Sequence, residues 1–478
     1  MVLLISCSTE FDQFEEAAEA YSDSDGQISQ EERADLINRI QLNSQRREFA
    51  RFFTDGSIDD TKLARYLEKK GFKIKALEDS HPAKDTYVNV YIENSGSMNG
   101  YISGNTEFKA AIQDLLVLLK YEYGEEKIKV FFINSQIHPT HIATDLANFA
   151  SALNTKSFKV GDTGSSNLNS VFKQVLDKTS KDTMSILVSD CIYSIKGDKT
   201  QELLSNQKSL TKDAFLSKSK SEKLATTIVK LSSKFNGFYW DMNNKKTMLS
   251  NKQRPYYIAI IASEPAMQHF NKRIELNESK VDGFKEKLML TSSGNHVPFY
   301  TILKSKFDAG NYKITRGDRE SSGGVHSIEE VEADNRNKEP FTFSVAVDMT
   351  VIPVSKSEIE TPGNYFIEGF TVKGVHDIKQ IKDELTQPSL NIIKKMSKPP
   401  THLIVLEASS PNFQETNLIF KKQMPRWVQN TSTIDDTDIL ENEGKTFGFL
   451  YLMEGIDEAY QIASNNPNHF NLKLTLKK

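Results

Sequence analysis

The residues best suited to chemistry lie within Val88–Met98, which reads Val-Asn-Val-Tyr-Ile-Glu-Asn-Ser-Gly-Ser-Met. An apolar, β-branched run (Val88, Val90, Ile92) stops at a loop carrying the Glu93 carboxylate and the Ser95 and Ser97 hydroxyls. A buried strand that ends in oxygen donors is how an open α/β sheet builds a ligand site. The same residues also fit a plain strand-to-helix turn with a capping serine. Nucleophilic chemistry finds little support. Ser95 is preceded two places earlier by Glu93, not by the glycine of a G-x-S-x-G elbow. The sequence has no H-E-x-x-H, P-loop or G-x-G-x-x-G pattern. His138 and His141 flank Pro139-Thr140 without further ligands nearby, and they read as loop residues.

Two further polar loops follow at comparable places. Gly161-Asp162-Thr163-Gly164-Ser165-Ser166-Asn167-Leu168 opens a segment with Leu168, Val171, Phe172 and Val175 at helical spacing, and the apolar run Met184–Ser189 ends at Asp190. In this order the three pieces resemble the von Willebrand factor A (VWA) family. Glu93-Asn94-Ser95-Gly96-Ser97 is similar to its D-x-S-x-S signature, with Glu in place of the first Asp. The resemblance implies a metal-ion-dependent adhesion site formed by Glu93, Ser95, Ser97, Ser166 and Asp190, with Thr163 and Ser165 as alternatives to Ser166. It implies Mg²⁺, or Mn²⁺ or Ca²⁺, held largely by neutral hydroxyls. Such an ion stays electrophilic and accepts a carboxylate from a partner protein. Glu93 is one methylene longer than the family's Asp, which leaves open direct coordination, a shifted ion or no ion.

The elements that must position these loops alternate between strand and helix. Phe108, Ile112, Leu115, Leu116 and Leu119 make one amphipathic face. Ile128–Ile133 reads as the next strand and Ala143–Leu153 as a helix. This rhythm predicts a doubly wound, parallel-sheet (VWA- or Rossmann-like) α/β domain over 82–280. Within it, 200–224 reads as a solvated helical insertion and Arg254–Ile261 as a final strand, with a closing helix over Ala266–Ile274. From 285 to 478 strands dominate: Phe341, Phe343, Val345 and Val347 alternate, as do Phe470, Leu472, Leu474 and Leu476. His402–Leu406, Asn417–Lys421 and Thr446–Leu452 read as further strands, and Ile378–Lys395 as helical. An antiparallel β-sandwich-like domain is expected there.

Residues 11–80 read as a small helical region rich in charge. Tyr21–Glu32 is similar to an EF-hand loop, with Asp23, Asp25 and Glu32 at ligand positions but Tyr21 where an Asp belongs. The same residues fit an Asp/Gly turn followed by Ser29 capping a helix, with Glu32 closing a capping box. Residues 1–10 carry Leu4-Ile5-Ser6-Cys7, which resembles a bacterial lipobox with Cys7 as the lipidated residue, although few residues precede it.

At 478 residues the chain exceeds one ordinary core. A net charge of -4 with interspersed signs offers no basic face for nucleic acid. Two cysteines in such different settings, Cys7 and Cys191, argue against a disulfide framework. The leading expectation is a non-enzymatic, metal-dependent protein-binding module for adhesion or scaffolding. It would be lipid-anchored at a bacterial cell envelope, in the outer membrane or periplasm, and touch the membrane through its anchor only. The alternatives are a metal-dependent hydrolase using the same pocket with Glu93 as base, a structural lipoprotein with an empty site, and a soluble cytoplasmic location.

Overall fold

The computed structural model describes residues 9–74 and 86–477, apart from 26, 29, 45, 55–56, 59, 71, 143–144, 165, 196, 198, 275, 293–297, 316–323, 333–339, 353, 355, 395, 397–398 and 410–414. Cys7 lies outside these residues. Helices α1 (Glu10–Asp25), α2 (Gln30–Leu42) and α3 (Asp60–Lys69) enclose a small core of their own around Phe14, Leu36, Phe49, Phe52 and Leu67. The expected EF-hand-like stretch is helical through Asp25 and again from Gln30. Tyr21, at the position where an anionic ligand belongs, donates its hydroxyl to Asp35 at 2.7 Å. The side chains of Asp23, Asp25 and Glu32 fall outside the described set.

The α/β unit is built on a seven-stranded sheet: β1 (Tyr87–Glu93), β2 (Ile128–Ile133), β3 (Ile137–Pro139), β4 (Thr183–Ser189), β5 (Leu224–Trp240), β6 (Lys246–Ser263) and β7 (Phe284–Thr291). Its order is β7-β5-β6-β4-β1-β2-β3. Only β1, β2 and β4 run parallel, with β1 at their centre. β6 pairs antiparallel with β4, β5 with β6, and β7 with β5. The sheet is therefore mixed, and the expected all-parallel winding ends after β4. The reason is local. Residues 224–263 contain no crossover helix, and a parallel connection needs one; instead β5 and β6 fold back on each other through the turn at Asp241–Lys245.

From Val90 onward β1 is buried on both faces, because both faces of the sheet are covered there. On one side Val88, Val90 and Ile92 pack under α4 (Glu107–Tyr123) and α7 (Glu264–Arg273). On the other, Tyr91 lies in a core shared by α5 (Leu168–Lys178), α6 (Thr200–Ser221) and α8 (Phe449–Ser464). α6 is no solvated insertion: Leu204, Thr211 and Phe215 are buried beneath it, and Lys208 and Lys212 pair with Glu454 and Glu458 of α8. Of Thr446–Leu452, expected as a strand throughout, only Thr446–Phe447 is one, paired with Ser432–Thr433; α8 begins at Phe449. Its apolar residues Phe449, Leu452, Met453, Ile456, Ala459 and Tyr460 have helical spacing over their full length. Ala143–Leu153 shortens to two single turns, at Leu146–Asn148 and Phe149–Ala152.

The second unit contains two sheets around one core. One has β8 (Tyr300–Leu303), β11 (Phe341–Val347), β14 (His402–Ala408) and β13 (Thr371–Asp377) in that order. The other has β9 (Asn311–Ile314), β10 (Ser327–Glu332), β16 (Asn468–Leu476), β15 (Glu415–Lys421) and β12 (Tyr365–Phe366). Neighbours are antiparallel except β10 and β16. Among the described residues of the expected helical stretch 378–395, Lys382–Glu384 and Gln387–Lys394 alone are helical, and β13 precedes it. The packing does not follow a division near 280–285. β7 completes the first sheet, and the chain returns from β15 to that sheet as α8 before it ends as β16.

Candidate functional site

Three loops meet at the carboxyl ends of β1 and β4. Glu93 closes β1; Ser95 then stands just before a short 3₁₀ turn, Gly96–Gly100, that contains Ser97. Ser189 closes β4 and Asp190 follows it. Ser166 stands just before α5, whose first turn is capped by Asn167 accepting from the Ser170 amide at 2.9 Å. Because β1 and β4 are paired neighbours, residues nearly a hundred positions apart share one edge.

A polar bracket holds the Ser166 loop in place. Asn94 donates to the carbonyls of Phe158 (3.0 Å) and Val160 (2.7 Å), and Asn134 donates to Asn94 Oδ1 (3.0 Å) and Val160 (2.9 Å). His138 completes it with a 3.2 Å contact to Asn134 Oδ1. That contact gives His138 a positioning duty.

Within the pocket Glu93 and Asp190 are both buried. Each Glu93 oxygen takes one hydroxyl: Ser166 donates to Oε1 and Ser189 to Oε2. Ser189 also accepts the Cys191 amide at 2.8 Å. Cys191 has φ +55°, so the chain turns sharply just after Asp190. Asp190 Oδ1 accepts the Ile192 amide at 3.2 Å, while Oδ2 has no hydrogen-bond partner. Burial holds the Asp190 carboxyl well above the usual range, and the Glu93 charge adds to this; the Ser97 hydroxyl and Arg254 act the other way. Ser95 and Ser97 stand Oγ to Oγ at 3.0 Å.

All five expected residues, Glu93, Ser95, Ser97, Ser166 and Asp190, thus come together. Of the alternatives to Ser166, Thr163 brings its carbonyl oxygen beside Gly96, and Ser165 lies outside the described residues. Sequence reasoning missed Ser189. Its signal was its place beside Asp190 at the end of a buried strand. It missed Arg254 too, which is fully buried and donates to the carbonyls of Asn442, Glu443 and Lys445 at 2.7–3.1 Å.

The donor set fits a hard cation. Cis oxygens about 2.1 Å from an octahedral Mg²⁺ are about 3.0 Å apart, the spacing of Ser95 and Ser97. Ser166 spends its proton on Glu93, which leaves its lone pairs available. Asp190 Oδ2 is an orphaned buried carboxyl oxygen of the kind an ion satisfies. Among the described residues no group of three or more His, Cys, Asp or Glu side chains is placed to hold a metal, so an ion here must rely on hydroxyls. Comparison with protein-family models, curated proteins and solved structures gives no match to this chain.

Proposed function

We propose that this pocket holds one divalent cation, Mg²⁺ or Mn²⁺, in a VWA-like manner, and that the ion captures a carboxylate from a partner protein. The observation that carries the reading is the joint placement of Ser95, Ser97, Ser166 and the unpartnered Asp190 Oδ2 at one sheet edge. Ser95, Ser97 and Asp190 would be direct ligands. Glu93 would supply second-layer charge and orient Ser166, since both its oxygens are already taken. A site of one buried carboxylate and neutral hydroxyls leaves the ion underneutralised, so it favours an anionic sixth ligand.

A hydrolase on the same pocket is disfavoured. Each Glu93 oxygen already accepts a serine hydroxyl, so a water would have to compete for its remaining lone pairs before Glu93 could act as its base. The proposal includes lipidation at Cys7 and an envelope location. Among the described residues no helix is long and apolar enough to cross a membrane.

Calorimetric titration with Mg²⁺ and Mn²⁺ tests the reading. The parent should bind one ion, and Ser95→Ala combined with Ser97→Ala should abolish binding. The double variant should stay folded, at a cost within about 0.5–3 kcal/mol. A parent that binds neither ion sinks the proposal.

A further inference from the structure

The sequence gives β5 and β6 the residues for a long two-stranded ribbon, and its tip reaches the pocket. One face of that tip is consumed. Tyr239 donates to Asp436, whose other oxygen takes the Met242 amide at 2.8 Å, and Arg254 lies over the Tyr239 ring. The turn itself is closed by Asp241, which accepts the amides of Asn243 (2.9 Å) and Lys245 (2.8 Å). The tip is therefore held firmly from one side. Its other face is open. Phe238 and Met248 are cross-strand partners, yet they are 41% and 56% exposed. Trp240 shares their face and pairs with Lys246, whose ammonium lies 3.6 Å from the Phe238 ring centroid. Scattered apolar side chains on a surface need no explanation, but two facing each other beside a third ring form a patch.

The patch is continuous with the site. A Cβ added at Gly96, between the two site serines, would lie 3.9 Å from the Trp240 ring. Lys245 and Lys246 are exposed beside it, so positive charge and apolar surface lie together at the ribbon tip.

We propose that this ribbon face reads the partner: an acidic, extended protein segment whose carboxylate enters the pocket while the apolar residue after it lies on Phe238, Trp240 and Met248. The inference rests on the cation-site reading above. It adds the partner's chemistry, because positive charge at Lys245 and Lys246 favours an acidic segment and the exposed rings favour a bulky apolar neighbour.

The test uses the full chain carrying Trp427→Phe, which leaves Trp240 as the reporting fluorophore. Its emission is followed in saturating Mg²⁺ as a short synthetic peptide bearing Asp-Phe-Leu is added. A saturable shift is expected. It should be lost with Asn in place of Asp, and weakened at least tenfold by Phe238→Ser with Met248→Ser. That double variant should keep the parent's Mg²⁺ affinity by calorimetry. Absence of Mg²⁺ binding in the parent defeats the cation reading itself. Mg²⁺ binding without a peptide response, an equal response from the ribbon variant, or Mg²⁺-driven self-association blocked by the same substitutions would each overturn this proposal alone.

Discussion

Why a glutamate stands at position 93 becomes intelligible once its two oxygens are traced. Ser166 arrives from the loop before α5 and Ser189 from the end of β4, and one carboxylate reaches both. A shorter Asp would forfeit one of them. Glu93→Asp should therefore lower stability by about 1–3 kcal/mol, the range for leaving a buried polar group unsatisfied. Urea denaturation of parent and variant in EDTA measures this, and an unchanged midpoint would show that the two hydroxyls do not depend on the longer arm. The hexapeptide around Ser95 was readable from sequence because its donors are close together. Ser189 was not, since a serine ending a buried strand is indistinguishable from any small core residue until its partner is known. The Asp190 carboxyl, held up by burial and by Glu93, is the group an ion would relieve.

At the scale of elements, the site loop is clamped by close backbone contact. Gly237 of β5 and Gly100 of the 3₁₀ turn approach so closely that a Cβ on Gly237 would lie 2.8 Å from Gly100 Cα and 3.1 Å from its amide nitrogen. Both atoms are backbone, so one element has to move. Gly237→Ala should cost about 1–3 kcal/mol, as overpacking does, and should weaken Mg²⁺ binding by displacing Ser95 and Ser97. Thermal melts with calorimetry on the same variant check both effects; a stable variant that binds normally would mean the ribbon does not position the loop. Here the strand and helix periods of β1, α4, β2, α5 and β4 were legible, because each runs long enough to show its spacing. The start of α8 was not, since 446–452 is too short to distinguish a buried strand from a helix.

Over the whole molecule, the two units are joined by the return of the chain through α8. Tyr257 of β6 stacks on Phe449 at 4.0 Å, and Thr226 of β5 bonds Tyr460 at 2.7 Å. No local pattern announces a helix that crosses back to an earlier sheet, so the order of domains along the sequence misstates the order in space. Asp457 of α8 faces the junction near Lys422, with Glu454 and Glu458 on the same helix. Burial raises its pKa to about 6, and Lys422 offsets this in part. The folded state therefore holds this proton at pH values where the unfolded chain, with an Asp near 3.9, has released it. Stability from this group is greatest below about pH 4 and falls as pH rises through 6. Asp457→Asn should flatten the melting temperature between pH 4 and 6 relative to the parent. An identical pH profile in the variant would place that dependence elsewhere.

The central claim is that the pocket at the ends of β1 and β4 is a cation site. The most direct measurement is anomalous X-ray diffraction from crystals of the full chain grown with Mn²⁺. The account predicts one strong peak among Ser95 Oγ, Ser97 Oγ and Asp190 Oδ2, with Glu93 held back behind Ser166 and Ser189. Crystals in millimolar Mn²⁺ with no peak in this pocket, or with the ion bound only elsewhere, would contradict it.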